Sequence, residues 1–200
     1  MIAVGAVELS ACGGRQGGGP DGSVDAGQLE EPYFPEASCF VRIDSPPLQP
    51  AVHVPIGTDI TSWNSNPPSS GEHYPIWAAF QEYDAAVPRG YYVHDLEHGA
   101  IDYLYSCPDA GDDGGACAAI VAKLEQAVAA MPDDPQCDPS VRVRFVLTPD
   151  PLIDHPVAAA AWGWTYRADC VDLPTLEAFA KAHYAQGPED FCTNGITGFQ

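Results

Sequence analysis

The residues best suited to chemistry form one short segment, His94-Asp95-Leu96-Glu97-His98. On a helix, the two histidines lie at positions i and i+4 of one face, with Glu97 beside them. This is the H-x-x-E-H arrangement of inverted zinc proteases, in which two imidazoles bind zinc and the glutamate activates water. On a strand, the histidines also share a face, whereas Glu97 points away. Both geometries bring the two imidazoles together, so the segment predicts a metal site.

The residues that follow this segment favour a turn or the start of a strand over a helix. Gly99 comes directly after His98, and the next residues have the pattern of a strand, which leaves room for about one helical turn. We therefore expect a turn or strand start that presents His94 and His98. Glu97 then either orients a ligand, acts as a third ligand, or serves as the general base of a hydrolase whose ion keeps one position open for water.

Two histidines upstream are expected to complete the site. His73 lies in Asn66-Pro67-Pro68-Ser69-Ser70-Gly71-Glu72-His73-Tyr74-Pro75, where prolines and glycine restrict the backbone of a loop. His53 lies in a short extended piece before Gly57. The predicted ligands are thus His53, His73, His94 and His98.

Imidazole nitrogens suit Zn(II), Cu(II), Ni(II) and Fe(II), and the expected cofactor is a transition metal ion, zinc or copper before the others. Four ligands would indicate binding or storage, whereas three ligands and an open position would indicate catalysis. The alternative is an envelope interaction module in which the histidines only hydrogen-bond a rigid loop, and it predicts no metal.

Hydrophobic periodicity indicates the elements that must position these residues. Amphipathic spacing predicts helices over Cys117–Met131 and Leu173–Tyr184. Alternation predicts a strand near Ile101–Tyr105, a strand over Val141–Thr148 with Arg142 and Arg144 on its wet face, and another strand in the apolar run Val157–Arg167. The region Pro32–Pro75 is predicted to be irregular, with a short extended piece at Ala51–Pro55. This order predicts an α+β fold, in which two helices cover one face of a mainly antiparallel sheet.

Length and charge limit the remaining possibilities. The chain has 200 residues, enough for one ordinary domain. Its 28 acidic residues against 8 Lys and Arg give a net charge of −20, so no basic surface is expected to neutralise phosphates, and a nucleic-acid partner is not expected. The sequence contains no run of about 18 apolar residues, so we expect no membrane-spanning helix.

Cysteine usage favours export to an oxidising compartment. Apart from Cys12, the chain has six scattered cysteines and no C-x-x-C pair, which predicts three disulfides: Cys39, Cys107, Cys117, Cys137, Cys170 and Cys192. Local spacing favours Cys107 with Cys117 around an acidic loop, and Cys170 with Cys192 around the last helix.

The amino-terminal segment Leu9-Ser10-Ala11-Cys12 resembles the lipobox of bacterial lipoproteins. By that resemblance, Cys12 would receive the lipid that anchors the protein in the periplasm or cell envelope; the alternative is a disordered leader with a chance cysteine. We therefore expect a signal segment at 1–12, a flexible tether at 13–31 and one globular domain at 32–200.

Two motifs together resemble one protein family. The PPxSGxHYP element at 67–75 and the HxLEHG element at 94–99 are accompanied by Trp77, Tyr83, Pro88 and Ala161-Trp162-Gly163. This combination is similar to the bacterial family known as domain of unknown function 3105, and the likeness spans about 52–191. Because members are typically exported or membrane-attached, the resemblance implies the same location here. The motif positions it implies are His73, His94, Glu97 and His98, with His53 a looser match, and no activity follows from it.

Overall fold

A mainly antiparallel sheet forms the centre of the fold, which we describe from a computed structural model for residues 24–25, 39–107, 115–190 and 192–199. In chain order, the described strands are β1 (Val24–Asp25), β2 (Val41–Asp44), β3 (Val52–His53), β4 (Glu72–His73), β5 (Ile101–Tyr105), β6 (Phe145–Pro149), β7 (Val157–Ala161) and β8 (Trp164–Ala168). The described helices are α1 (Arg89–Glu97), α2 (Gly115–Ala130) and α3 (Leu173–His183).

Six strands form the central sheet in the order β1-β2-β8-β7-β5-β6. All neighbours are antiparallel except β5 and β6, which run parallel and are joined through α2. A parallel pair needs such a crossover because its strands start from the same edge of the sheet. Strands β3 and β4 form a separate parallel pair.

Helices cover both faces of the sheet. Successive side chains of a strand point to opposite faces, so Tyr103 packs with Leu124 of α2 and Phe179 of α3. Its neighbour Leu104 packs on the other face, in a cluster that includes Tyr91 of α1. Strand β5 is therefore buried on both sides.

The sequence predictions for fold class and for the two amphipathic helices are confirmed. Helix α2 lies within two residues of its predicted bounds, and α3 begins at the predicted residue and ends one residue early. The Asp172 side chain accepts a hydrogen bond from the Thr175 backbone N–H, which caps the start of α3. The short extended piece predicted near residue 53 is strand β3.

The predicted turn or strand start at the histidine segment is wrong, because this segment is the last part of α1. The helix begins upstream, after Pro88, and ends with Gly99 at φ 83°, a left-handed conformation that glycine adopts without strain. Its last carbonyls accept hydrogen bonds from Gly99 N–H (2.9 Å) and Ala100 N–H (3.0 Å) in a Schellman motif. Gly99 therefore closes the helix instead of preventing it.

Three strand predictions also need correction. The region Pro32–Pro75 was predicted to be irregular apart from its short extended piece, but it also contains β2, which pairs with β8 in the central sheet, and β4. The apolar run predicted as one strand over Val157–Arg167 is the β7–β8 hairpin, and its turn contains Gly163 at φ 76°. Arg144 was expected on the wet face of a strand over Val141–Thr148, but this strand, β6, begins only at Phe145, and only 1% of the Arg144 side chain is exposed. It is buried because its charge is paired with Asp134 and Asp190, at 2.8 and 2.7 Å.

Three cysteine pairs lie at disulfide distance. The predicted pair Cys107–Cys117 is confirmed, at 2.03 Å between the sulfur atoms. The predicted pair of Cys170 with Cys192 is wrong, since Cys170 pairs with Cys39 and Cys192 pairs with Cys137. Antiparallel pairing of β2 with β8 brings Cys39 to Cys170, across a sequence separation of 131 residues.

The predicted lipidation residue Cys12 and the signal segment at 1–12 lie outside the described residues. Of the predicted tether at 13–31, the structure describes only Val24–Asp25, which pair with β2 at the edge of the sheet. None of the helices in the described part of the chain has the length and apolar character that crossing a bilayer requires.

Candidate metal centre

Strands β3 and β4 place two of the four predicted histidines side by side. His53 and His73 are register partners in this parallel pair, so their side chains leave the same face. Their ring centroids are 4.8 Å apart. His73 is fully buried, whereas 47% of the His53 side chain is exposed, so His53 lies between the cluster and solvent.

Helix α1 supplies the next two members of the cluster. His94 and Glu97 are three residues apart and share one helix face, and the His94 ring lies 4.9 Å from His73 and 4.8 Å from His53. Both α1 side chains are almost completely buried. The ligand atoms of His53, His73, His94 and Glu97 all lie within 4.8 Å of one another.

The distances from Glu97 to the three histidines are close to those of a tetrahedral metal site. Glu97 Oε2 lies 2.9 Å from His73 Nε2, 3.4 Å from His53 Nε2 and 3.7 Å from His94 Nε2. Four ligands at about 2.0–2.1 Å from a zinc ion at tetrahedral corners are about 3.3 Å apart. The three distances from Glu97 Oε2 bracket this value.

Hydrogen bonds on the outer side of two rings fix their tautomers. His73 Nδ1 lies 2.8 Å from the Gly71 carbonyl oxygen, and His94 Nδ1 lies 2.6 Å from the Tyr74 carbonyl oxygen. A carbonyl oxygen only accepts, so each Nδ1 must carry a proton and donate it. In a neutral ring, the Nε2 lone pair then points into the cluster, which is the usual orientation of a metal-binding histidine.

This tautomer makes the His73–Glu97 contact depend on a cation. With Nδ1 protonated, the lone pair of a neutral His73 faces Glu97 Oε2 at 2.9 Å, and two acceptors do not attract each other. A proton shared by the two atoms satisfies the contact, and a metal ion bound by both would replace that proton.

The electrostatics of the site favour neutral rings at His94 and His98 and an ionised carboxylate at Glu97. Burial, chiefly, lowers the pKa of His94 to about 4 and that of His98 to about 3. Burial alone would raise the pKa of Glu97, but the hydrogen bond with His73 and the neighbouring histidine charges outweigh it and lower the pKa. At neutral pH, His94 and His98 are therefore neutral and Glu97 carries a negative charge.

Tyr74 connects the loop that carries His73 to α1. Its N–H donates to the Gly90 carbonyl oxygen at 2.8 Å, while its own carbonyl oxygen accepts the His94 hydrogen bond. The Tyr74 ring lies directly over Gly90, where an added Cβ would be 2.6 Å from it. The Tyr74 backbone thus fixes the distance between His73 and His94.

The serine-rich part of the first motif is structural. Asn64 Oδ1 accepts hydrogen bonds from the N–H groups of Ser69 and Ser70, at 3.0 and 3.1 Å. Gly71 adopts φ 119°, and an added Cβ there would meet the Gln49 side chain at 2.5 Å. These contacts determine where the Gly71 carbonyl oxygen lies, and this oxygen orients the His73 ring.

The fourth predicted histidine, His98, lies beside the cluster and not within it. Its Nε2 is 3.1 Å from His94 Nε2, and it forms a second group of candidate ligands with Glu97 and Glu189. Glu189 was missed in the sequence because it lies in an acidic segment without a motif, more than 90 residues from the other two. The remaining histidines make other contacts: His155 pairs with Asp169, and His183 stacks on Trp164.

The fold and the cluster define an α+β protein with a candidate metal centre of histidine and glutamate. The chain belongs to the family described as Protein of unknown function (DUF3105), whose model matches residues 53–194. The resemblance found in the two motifs is therefore confirmed, and the matched range includes both groups of candidate ligands. No curated protein and no solved structure matches the chain.

Proposed function

We propose that this protein binds a transition metal ion through His53, His73, His94 and Glu97. The observation that carries the proposal is the spacing of the three histidine nitrogens around Glu97 Oε2, between 2.9 and 3.7 Å. Two of the rings are also held by backbone carbonyls so that Nε2 faces inwards. Such outer hydrogen bonds raise the basicity of a ligand and fix its direction.

The arrangement favours metal binding over hydrolysis. A general base must keep its carboxylate free for water, whereas Glu97 Oε2 contacts the Nε2 atoms of three histidines. With Glu97 as a ligand, the ion has four protein donors, as in a closed site. The hydrolase hypothesis requires Glu97 to leave this position.

Zinc and copper are the ions that we propose first. Three imidazoles and a carboxylate are borderline donors suited to Zn(II) and Cu(II). The sulfur atoms of Cys39, Cys107, Cys117, Cys137, Cys170 and Cys192 lie in three disulfide pairs and are not available as thiolate ligands.

We further propose that the protein acts outside the cytoplasm and is anchored through a lipid on Cys12. Three disulfide pairs support an oxidising, exported environment. The lipid anchor rests on the sequence around Cys12 alone.

Metal content tests the binding proposal. The full chain, with its disulfides oxidised, is dialysed against Zn(II), freed of unbound metal by gel filtration and analysed by mass spectrometry, alongside His94→Ala and His155→Ala. His155 is the matched control because it pairs with Asp169 outside the cluster. We expect His155→Ala to retain zinc and His94→Ala to lose it. Wild-type zinc content in His94→Ala would contradict the proposal.

A further inference from the structure

A second group of candidate ligands adjoins the first and shares Glu97 with it. The donor atoms of Glu97, His98 and Glu189 lie within 4.8 Å of one another. His98 is fully buried, while half of the Glu189 side chain is exposed. We propose that this group holds a second metal ion, so that the Glu97 carboxylate bridges two ions. The inference rests on the proposed function of the first site.

The position of Glu97 suits a bridging carboxylate. Its Oε2 atom already faces the three histidines of the first group, and a carboxylate has a second oxygen to offer to another ion. In two-metal sites, the ions are typically about 3.5–4 Å apart. His94 Nε2 and His98 Nε2 are only 3.1 Å apart, so the two groups of candidate ligands are in direct contact.

The contact between the two histidines indicates what a first ion would change. His94 Nδ1 donates to Tyr74, so His94 Nε2 accepts, and His98 Nε2 must be the donor in the 3.1 Å contact. An ion on His94 Nε2 occupies the lone pair that accepts this hydrogen bond. His98 Nε2 then faces the carboxylates of Glu97 and Glu189, the latter at 3.5 Å, and these two negative charges favour a second cation. When that cation binds, the proton on His98 moves from Nε2 to Nδ1, so that the neutral ring offers the Nε2 lone pair.

The segment that carries Glu189 is held against the end of α1 by contacts that need no ion. The Glu189 N–H donates to the Glu97 carbonyl oxygen at 2.9 Å. The next residue, Asp190, pairs with Arg144, which also donates to the His98 carbonyl oxygen at 2.7 Å. An added Cβ on Gly187 would lie 2.2 Å from the Glu97 carbonyl oxygen, so only glycine permits this approach.

Aromatic packing orients His98 from the other side. The Trp77 ring lies edge-on at 4.5 Å from the His98 ring centroid and 5.2 Å from that of His94. One indole therefore covers a histidine of each group. The second group is built from a buried imidazole with packed neighbours, the buried carboxylate of Glu97 and the carboxylate of Glu189, whose backbone is held against α1.

Metal stoichiometry tests the second position. The oxidised full chain is loaded with Zn(II), freed of unbound metal and assayed for zinc per chain, alongside Glu189→Gln and Glu177→Gln. Both variants remove one exposed negative charge, and Glu177 lies on α3, outside both groups. We expect two ions per chain in the wild type and in Glu177→Gln, and one in Glu189→Gln. Loading with Co(II) gives a second readout, since spin coupling through Glu97 should disappear in Glu189→Gln.

The outcomes separate this inference from the proposed function. One ion per chain in both the wild type and Glu189→Gln would overturn the second position and leave the first site standing. Two ions in Glu189→Gln would overturn the role of Glu189. A wild type that binds no zinc would overturn both proposals.

Discussion

Substitution of Gly90 by alanine should weaken metal binding without touching a ligand. The added Cβ would lie 2.6 Å from Tyr74 Cε2, and ordinary contact begins at about 3.4 Å, so the ring or the helix must move by about 0.8 Å. The ring cannot move away freely, because it packs edge-on against Tyr91 and its hydroxyl donates to the Thr58 carbonyl oxygen at 3.0 Å.

The displacement should reach the metal centre through the Tyr74 backbone. The Tyr74 N–H donates to the Gly90 carbonyl oxygen, and the Tyr74 carbonyl oxygen accepts the hydrogen bond that orients His94. A metal site tolerates changes of only about 0.2 Å in its ligand distances. Loss of an orienting contact typically costs about 10–100-fold in metal affinity, and we expect Gly90→Ala to fall in this range.

Zinc affinity is measured by competition with a chromophoric chelator, after circular dichroism has shown that the variant folds. Gly198→Ala is the matched control because an added Cβ there meets nothing within 4 Å, and we expect it to bind as the wild type does. A folded Gly90→Ala protein with an affinity within about twofold of the wild type would refute the reasoning.

Three further predictions concern stability, each measured by urea unfolding. Asp102 is fully buried, its carboxylate has no hydrogen-bond partner among the described residues, and burial raises its pKa. Because valine has no polar group to bury, Asp102→Val should raise the free energy of unfolding by about 1–3 kcal/mol. A lower free energy of unfolding would contradict this. Arg144→Met leaves the Asp134 carboxylate without its buried partner, so it should lower the free energy of unfolding by about 3–5 kcal/mol. A decrease of less than about 1 kcal/mol would argue against a buried ion pair. Burial lowers the pKa of His183 from 6.5 to about 4. Between these pH values, His183 is protonated in the unfolded chain but not in the folded protein, so the free energy of unfolding falls as the pH drops from 6.5 towards 4. Because His183 is partly exposed, His183→Leu should reduce the loss between pH 7 and 4.5 by only about 2 kcal/mol, and an unchanged loss would contradict the burial of a neutral ring.

The sequence allowed prediction of those elements that keep one face in water. Helices α2 and α3 have exposed and buried sides, and this contrast produces the periodicity from which they were predicted. Helix α1 is buried from Gly90 to Glu97, so it has no polar face and no such periodicity. The signals that remain are Pro88 before it and Gly99 after it, which are typical of a helix start and end.

The candidate site was predictable where a motif carried it and not where distant segments meet. His53, His73 and His94 were expected to converge, and the structure brings their rings within 4.9 Å of one another. Glu189 joins through a loop that depends on Gly187 and on the buried Arg144. These contacts are tertiary, so neither spacing nor composition indicates them.

The position of the metal ion itself tests the central claim most directly. Crystals of the oxidised, zinc-loaded protein, measured on both sides of the zinc absorption edge, locate the ion by its anomalous scattering. We predict a peak about 2.0–2.2 Å from Nε2 of His53, His73 and His94 and from a carboxylate oxygen of Glu97. The absence of a zinc peak at these four residues would contradict the account.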